Sequence, residues 1–259
     1  MSSYCPVVIS KPTIQQVSLE LRDLLAKLSK EAIAQRGKFT VAFSGGSLPT
    51  TVAAELTKAT DVDFSAWYVY FADERCCPHD HPDSNYLLVK DEFLSKVDVP
   101  ASQVFAINPE LVGDPERAAA DYAAKVKETV PVDNQGMPLF DCLLLGIGPD
   151  GHTCSLFPDR PQVKVSDKIV THILDSPKPP PPRITLTLPV LNHARHVAFV
   201  VTGAGKAEML ESILVKRDQS RPSALVSPEH GMLFWILDDA AAQRLPADLL
   251  AKSSAVSHL

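Results

Sequence analysis

The sequence has few of the features that mark a disulfide scaffold, a membrane protein or a nucleic-acid-binding protein. Its five cysteines are odd in number and form no C-x-x-C motif, which favours free thiols in the cytosol. No apolar run approaches the ~20 residues of a membrane span, and the N-terminus lacks a secretory signal pattern. The net charge of −6 disfavours general binding to nucleic acid or to an anionic membrane. We therefore expect a cytoplasmic protein that acts on a small molecule.

Three familiar site motifs are also missing. The sequence contains neither the P-loop pattern G-x-x-x-x-G-K-[ST] nor the dinucleotide pattern G-x-G-x-x-G, and it has no G-x-S-x-G nucleophile elbow. The segment 76–83, CCPHDHPD, carries residue types that bind zinc, but its consecutive spacing and two prolines favour an ordinary surface loop. We expect no metal, no cofactor and no covalent serine or cysteine intermediate.

The chain does contain apolar segments of strand length that alternate with amphipathic helical segments. This alternation predicts an α/β protein: one domain over residues 1–259, a Rossmann-like three-layer sandwich with a mostly parallel central sheet and helices on both faces. Strands are predicted at 39–43, 67–72, 103–107, 140–147, 168–173, 183–188, 196–202 and 232–237. Helices are predicted from Thr13 to Gly37 and at 48–58, 84–97, 115–129, 189–194, 205–216 and 239–244.

Polar turns follow four of these strands: SGGS, DER, GPDGHT and GAGK. Ligands of open α/β sheets bind outside the carboxyl ends of the strands, so these turns are expected at one edge. The first turn, Ser44, Gly45, Gly46 and Ser47, precedes a helix whose free N–H groups suit a phosphate. Its alternative interpretation is a simple turn with Ser47 as the helix N-cap.

Three cations stand near these turns, each with an ordinary alternative. Arg75 in Asp73-Glu74-Arg75 is either part of a solvated rim or an anion ligand held by its acidic neighbours. Lys206 opposes the dipole of the helix that it begins, which suggests a functional cation rather than a solvent-exposed lysine. Arg183 is either an ordinary cation at a strand end or a second anion ligand.

The turn at 148–152, GPDGH, follows the most apolar strand. Pro-Asp-Gly is a common turn sequence, so a plain turn is the first interpretation. The second is a catalytic site, because loops at strand ends often carry function. Cys154 and Ser155 follow closely, but neighbours in a turn do not form a catalytic triad, and we expect them to be packing residues.

Taken together, these segments resemble the 6-phosphogluconolactonase family, within the glucosamine/galactosamine-6-phosphate isomerase superfamily. The resemblance covers about residues 40 to 240 and keeps the family's order of motifs. The matching segments are FSGGS (43–47), DER (73–75), HPDSNY (81–86), LLLGIGPDGHTCSLFP (143–158), RITLTLPVLN (183–192) and VTGAGKAEML (201–210).

The resemblance implies hydrolysis of 6-phospho-D-glucono-1,5-lactone to 6-phospho-D-gluconate, the second step of the oxidative pentose phosphate pathway. We expect the protein to be a monomer. We hypothesise that His152 is the general base for water and that Asp150 supports it, since an ordinary histidine pKa suits both proton transfers. The residues expected to bind the substrate or its phosphate are Ser44, Gly45, Gly46, Ser47, Asp73, Arg75, Arg183 and Lys206, with the three cations and the 44–47 amides for the phosphate or the developing charge. Which cation meets which charge stays open.

Two alternatives remain on the same fold. Related amino-sugar-phosphate deaminases and isomerases carry D-E-Y and D-G-H-x-A-F-N-E, where this chain has Arg75 and, in place of the final Glu, Phe157. Because phenylalanine cannot transfer a proton, the sequence argues against that chemistry. The other alternative is a sugar-phosphate sensor without catalysis. Such a sensor would not need a base, so the presence of His152 and Asp150 argues against it.

Overall fold

The computed structural model describes residues 6–229 and 231–250. Cys5 therefore lies outside the described residues. The strands are β1 Val7–Lys11, β2 Phe39–Phe43, β3 Trp67–Phe71, β4 Asp73–Arg75, β5 Cys142–Leu145, β6 Val170–Ile173, β7 Arg183–Leu186, β8 His196–Val201 and β9 Met232–Asp238. The helices are α1 Ile14–Arg36, α2 Leu48–Leu56, α3 Asn85–Glu92, α4 Pro115–Thr129, α5 Leu188–His193, α6 Ala207–Leu210, α7 Asp239–Ala242 and α8 Ala247–Leu250.

A six-stranded parallel sheet forms the centre of the molecule, in the order β1-β9-β8-β5-β2-β3. Strand β5 is buried along its whole length, as its continuous apolar sequence predicts for a strand covered on both faces. The predicted α/β class with a mostly parallel central sheet is confirmed. Among the residues described, no helix is both long enough and apolar enough to span a membrane.

Each face of the sheet has its own apolar core. Buried side chains of α1, α2 and α3 pack on one face, and those of α4, α5 and α6 pack on the other. Local sequence sets the ends of α1: the Thr13 side chain accepts the N–H of Gln16, and Gly37 ends the helix with a φ of 73°. This framework fixes the strand ends from which the site is built.

Three strands lie outside the central sheet, and two of them, β6 and β7, correspond to segments predicted as strands at 168–173 and 183–188. Strands β4, β7 and β6 pair antiparallel in a separate sheet, so DER is a strand and not a solvated turn. Asp73 and Glu74 are buried there, so the interpretation of this segment as a solvated rim is wrong for these two residues. They tolerate burial because their carboxylates accept hydrogen bonds from distant residues, which local sequence does not reveal.

Other elements of the structure differ from the predicted ones in their presence or length. Strand β1 was not predicted, and the predicted strand at 103–107 reduces to a single bridge between Val69 and Val104. The predicted helix at 205–216 begins as a 3₁₀ turn, continues as α6 and ends in a π-helical turn over Glu211–Val215.

Candidate functional site

A cavity of about 340 Å³ opens at the carboxyl edge of the central sheet. The turns after β2, β5 and β8 reach it, and β4 and β7 of the second sheet close its side. Eight of the ten residues predicted for the site line this cavity: Gly45, Gly46, Ser47, Asp73, Arg75, His152, Arg183 and Lys206. The other two, Ser44 and Asp150, contact the lining residues Cys154 and His152, respectively.

His152 and Asp150 form a hydrogen-bonded pair in the turn after β5. The distance from His152 Nδ1 to Asp150 Oδ1 is 2.5 Å. Partial burial works to raise the pKa of Asp150, but the bonds and charge of His152 lower it below its ordinary value. The carboxylate is thus an acceptor, which assigns the shared proton to Nδ1. Nε2 has no hydrogen-bond partner among the residues described and is free to accept a proton.

Burial sets the charge state of His152. It lowers the pKa of the imidazole below 6.5, although Asp150 works in the opposite direction. The imidazole is therefore neutral at pH 7, with a lone pair on Nε2 beside the cavity. A neutral histidine held by a carboxylate is the arrangement that general-base catalysis requires.

The ring of Phe157 packs against the imidazole of His152. The Phe157 side chain is 1% exposed, and the two ring centroids are 4.6 Å apart. A hydrocarbon ring therefore occupies the position where the deaminase pattern has a glutamate. Cys154 lines the cavity, but burial raises the pKa of its thiol, and this opposes a thiolate nucleophile at neutral pH.

Gly148 leaves room for the catalytic pair. A Cβ atom on Gly148 would lie 1.9 Å from His152 Nδ1 and 2.5 Å from Asp150 Oδ1. Since these positions overlap, we expect Gly148→Ala to displace the pair and to reduce turnover at least about tenfold. Gly146→Ala is the matched control, because Gly146 also lines the cavity and a Cβ there meets nothing within 4 Å. Equal steady-state rates for the two variants would contradict this account of Gly148.

Glu74 joins the second sheet to the start of α3. Its carboxylate accepts the backbone N–H groups of Arg75, Asn85 and Tyr86 and the hydroxyl of Ser84. Burial nevertheless raises the pKa of Glu74 to about 7, and these hydrogen bonds only partly oppose that shift. Glu74 thereby fixes how α3 approaches the cavity.

Asn85 is a lining residue that the sequence analysis missed. Its Nδ2 donates to the carbonyl of Asp73, and a Cβ on Gly45 would lie 2.0 Å from its Oδ1. Gly45 is thus required by the close approach of a side chain as well as by any ligand. Ser47 occupies the N-cap position of α2, as its alternative interpretation predicts, but its side chain makes no capping hydrogen bond.

The three predicted cations are held in different ways. Lys206 donates to the carbonyl of Ile147, 2.8 Å away, and burial lowers the pKa of its ammonium group. The guanidinium of Arg75 donates to the carbonyl of Asp83 and not to a neighbouring carboxylate, which contradicts the interpretation that acidic neighbours hold it. Arg183 is 3% exposed, and its guanidinium donates to Ser155 Oγ and to backbone carbonyls of the proline-rich loop before β7.

A fourth cation, Lys178, lines the cavity and was also missed. It stands inside the proline run PKPPPP, which reads as a stiff surface segment. Ser155 is buried as expected, but its hydroxyl donates to Asp73 Oδ2 at 2.8 Å. Within residues 6–229 and 231–250, no group of three or more His, Cys, Asp or Glu side chains is placed to hold a metal ion.

Comparisons with known proteins place this geometry in context. The family described as glucosamine-6-phosphate isomerases/6-phosphogluconolactonase matches residues 12–235. A 6-phosphogluconolactonase of Homo sapiens is 46% identical over 252 residues, covering 95% of this chain and 96% of the human protein.

Solved structures show the same fold. The 6-phosphogluconolactonase from Trypanosoma brucei superposes with a TM-score of 0.84 at 27% identity, over 94% of this chain and 100% of that one. A monomeric glucosamine-6-phosphate deaminase superposes with a TM-score of 0.75 at 20% identity, over 92% of this chain and 99% of that one. The second likeness concerns the fold alone.

Proposed function

The chain belongs to the glucosamine-6-phosphate isomerase/6-phosphogluconolactonase family, and we propose that it hydrolyses 6-phospho-D-glucono-1,5-lactone to 6-phospho-D-gluconate with His152 as the base. This reaction is the second step of the oxidative pentose phosphate pathway. The observation that carries the mechanism is the pair His152–Asp150, whose free Nε2 borders a cavity lined with cations.

Hydrolysis needs two proton transfers at one centre. His152 Nε2 takes a proton from water as the water oxygen bonds to the lactone carbonyl carbon. The tetrahedral intermediate then loses its bond between that carbon and the ring oxygen, and Nε2 returns the proton to the ring oxygen. The carboxylic acid that remains ionises in water. Asp150 holds Nδ1 and stabilises the imidazolium that exists between the two transfers.

The remaining lining groups suit the charges of the substrate. The amides of Gly45, Gly46 and Ser47 precede α2 and can bind the phosphate, assisted by Arg75, Arg183 and Lys206. Asp73 accepts from Ser155 and borders the same space, where its carboxylate can accept a sugar hydroxyl. Electrostatic stabilisation of the tetrahedral oxyanion is expected to supply much of the rate enhancement.

Phe157 favours hydrolysis over deamination. A ring-opening deaminase or isomerase needs an acid–base group at this position, whereas a buried phenyl ring lies there against His152. Lactone hydrolysis needs no such group, because a lactone carbonyl is already electrophilic.

Purified protein assayed with both candidate substrates tests the proposal. We expect 6-phosphogluconolactone to be hydrolysed well above its spontaneous rate, which must be subtracted, and glucosamine 6-phosphate to release no ammonia. Ammonia release would support the deaminase instead. Thermal stabilisation by 6-phosphogluconate without turnover would support a sensor.

We also propose that one catalytic domain acts as a cytoplasmic monomer without metal or cofactor. The described cysteines, Cys76, Cys77, Cys142 and Cys154, are free thiols, as is usual in a reducing compartment. Light scattering of the purified protein measures the oligomeric state directly.

A further inference from the structure

The loop that connects β6 to β7 holds its backbone rigidly. Its sequence is SPKPPPP at 176–182, and the prolines fix most of its φ angles. Ser176 is buried, and its hydroxyl accepts the N–H of Lys178 at 3.2 Å and donates to the carbonyl of Lys178 at 3.0 Å. Lys178 therefore extends from a constrained backbone rather than from a loose surface loop.

Arg183 fastens this loop to the second sheet. Its Nη2 donates to the carbonyls of Lys178 and Pro179 at 2.9 and 3.1 Å, and its Nε donates to the carbonyl of Pro180 at 3.1 Å. Proline nitrogens cannot donate hydrogen bonds, so these carbonyls are the loop's main means of attachment. Three hydrogen bonds from the guanidinium of Arg183 are used here to hold the loop.

The same arginine links the loop to the catalytic pair. The guanidinium carbon of Arg183 lies 5.8 Å from the centre of the Phe157 ring, which packs on His152. Two buried side chains, Arg183 and Phe157, therefore connect the backbone of Lys178 to His152. Both ends of this chain of contacts, Lys178 and His152, line the cavity.

The charge of Lys178 acts within the site. Three charged groups influence the pKa of His152 here, Asp150, Asp73 and Lys178, and two of them, Lys178 and Asp150, also influence that of Lys206. After burial, which has the largest effect, Lys178 contributes to lowering the pKa of both His152 and Lys206. The ammonium group is therefore close enough to interact with charge that develops beside His152.

We propose that Lys178 contacts the substrate at its reacting end, where it stabilises the oxyanion beside His152, and that Arg183 is the positioning residue for its loop. The inference rests on the proposed lactone hydrolysis and assigns one further residue to it. An ammonium group fixed next to the forming oxyanion stabilises the transition state more than the neutral ground state.

Lys178→Met tests the proposal, because it keeps the length of the side chain and removes its charge. We expect kcat/KM to fall at least about tenfold, with most of the loss in kcat. The acid limb of the pH profile is expected to move to higher pH, because removal of a positive charge raises the pKa of His152. Lys178→Arg should restore part of the activity, and Lys164→Met, at an exposed site outside the cavity, is the matched control.

The outcomes separate this inference from the function on which it rests. If the wild-type protein turns over the lactone and Lys178→Met keeps kcat/KM within twofold, Lys178 has no role and the inference alone is wrong. A loss confined to KM, or an acid limb that does not move, would place Lys178 away from His152 and also overturn it. Absence of lactone turnover in the wild type would remove both the function and the inference.

Discussion

Replacement of His152 by alanine is expected to reduce the hydrolysis of 6-phosphogluconolactone at least about 100-fold. The variant loses the group that we propose takes a proton from water and returns it to the ring oxygen, while the cations and amides around the cavity remain. Binding of 6-phosphogluconate, measured by calorimetry, should therefore change little, and the loss should appear in kcat.

A control separates catalysis from folding in this experiment. His172 lies on β6 outside the cavity, so His172→Ala removes an imidazole without touching the catalytic pair. Near-normal turnover by His152→Ala, after subtraction of spontaneous hydrolysis, would rule out His152 as the base. Because Phe157 packs on the imidazole, unfolding by urea should be compared for both variants to confirm that the cavity persists.

The ionisation of Glu74 is expected to make the protein's free energy of unfolding depend on pH near neutrality. Burial raises the pKa of Glu74 from 4.5 to about 7, so the native state binds this proton more tightly than the unfolded chain does. The resulting stabilisation is complete below pH 4.5, declines as the pH rises and is lost above pH 7. A pKa difference of this size corresponds to about 3 kcal/mol.

Glu74→Gln isolates that contribution because glutamine keeps the shape and cannot ionise. The free energy of unfolding of the wild type, relative to that of the variant, should fall by up to about 3 kcal/mol between pH 4 and pH 8. Glu128→Gln, on the exposed side of α4, controls for the removal of one carboxylate. A constant difference across that pH range would show that Glu74 has the same protonation in the native and unfolded states.

Local sequence signals located most of the central sheet and most of the cavity. Apolar runs such as CLLL in β5 and turns such as SGGS act over a few residues, so their structures follow from propensity and turn chemistry. Where these turns meet follows from the rule for parallel sheets, which places ligands at their carboxyl ends. His152, Lys206 and the glycines of the first turn could therefore be found without a structure.

The second sheet escaped prediction because tertiary contacts override local preference there. Asp73-Glu74-Arg75 is charged, and charged segments are usually solvated, yet Ser155 and the start of α3 supply the donors that permit burial. The role of Lys178 could not be predicted from the sequence for a similar reason. Its proline-rich loop has the composition of a surface spacer, and only its contacts with Arg183 bring it to the cavity.

The pairing of β1 with β9 has a consequence for the order of events during synthesis. Val7 lies opposite Phe234, so β1 leaves the ribosome long before β9, the strand with which it pairs in the sheet. At a translation rate of roughly 5–20 residues per second, its backbone stays unpaired for many seconds. The inner strands β2, β3 and β5 can assemble meanwhile, and β1 closes the edge only when β9 emerges. A nascent-chain protease experiment would find β1 cleavable until then.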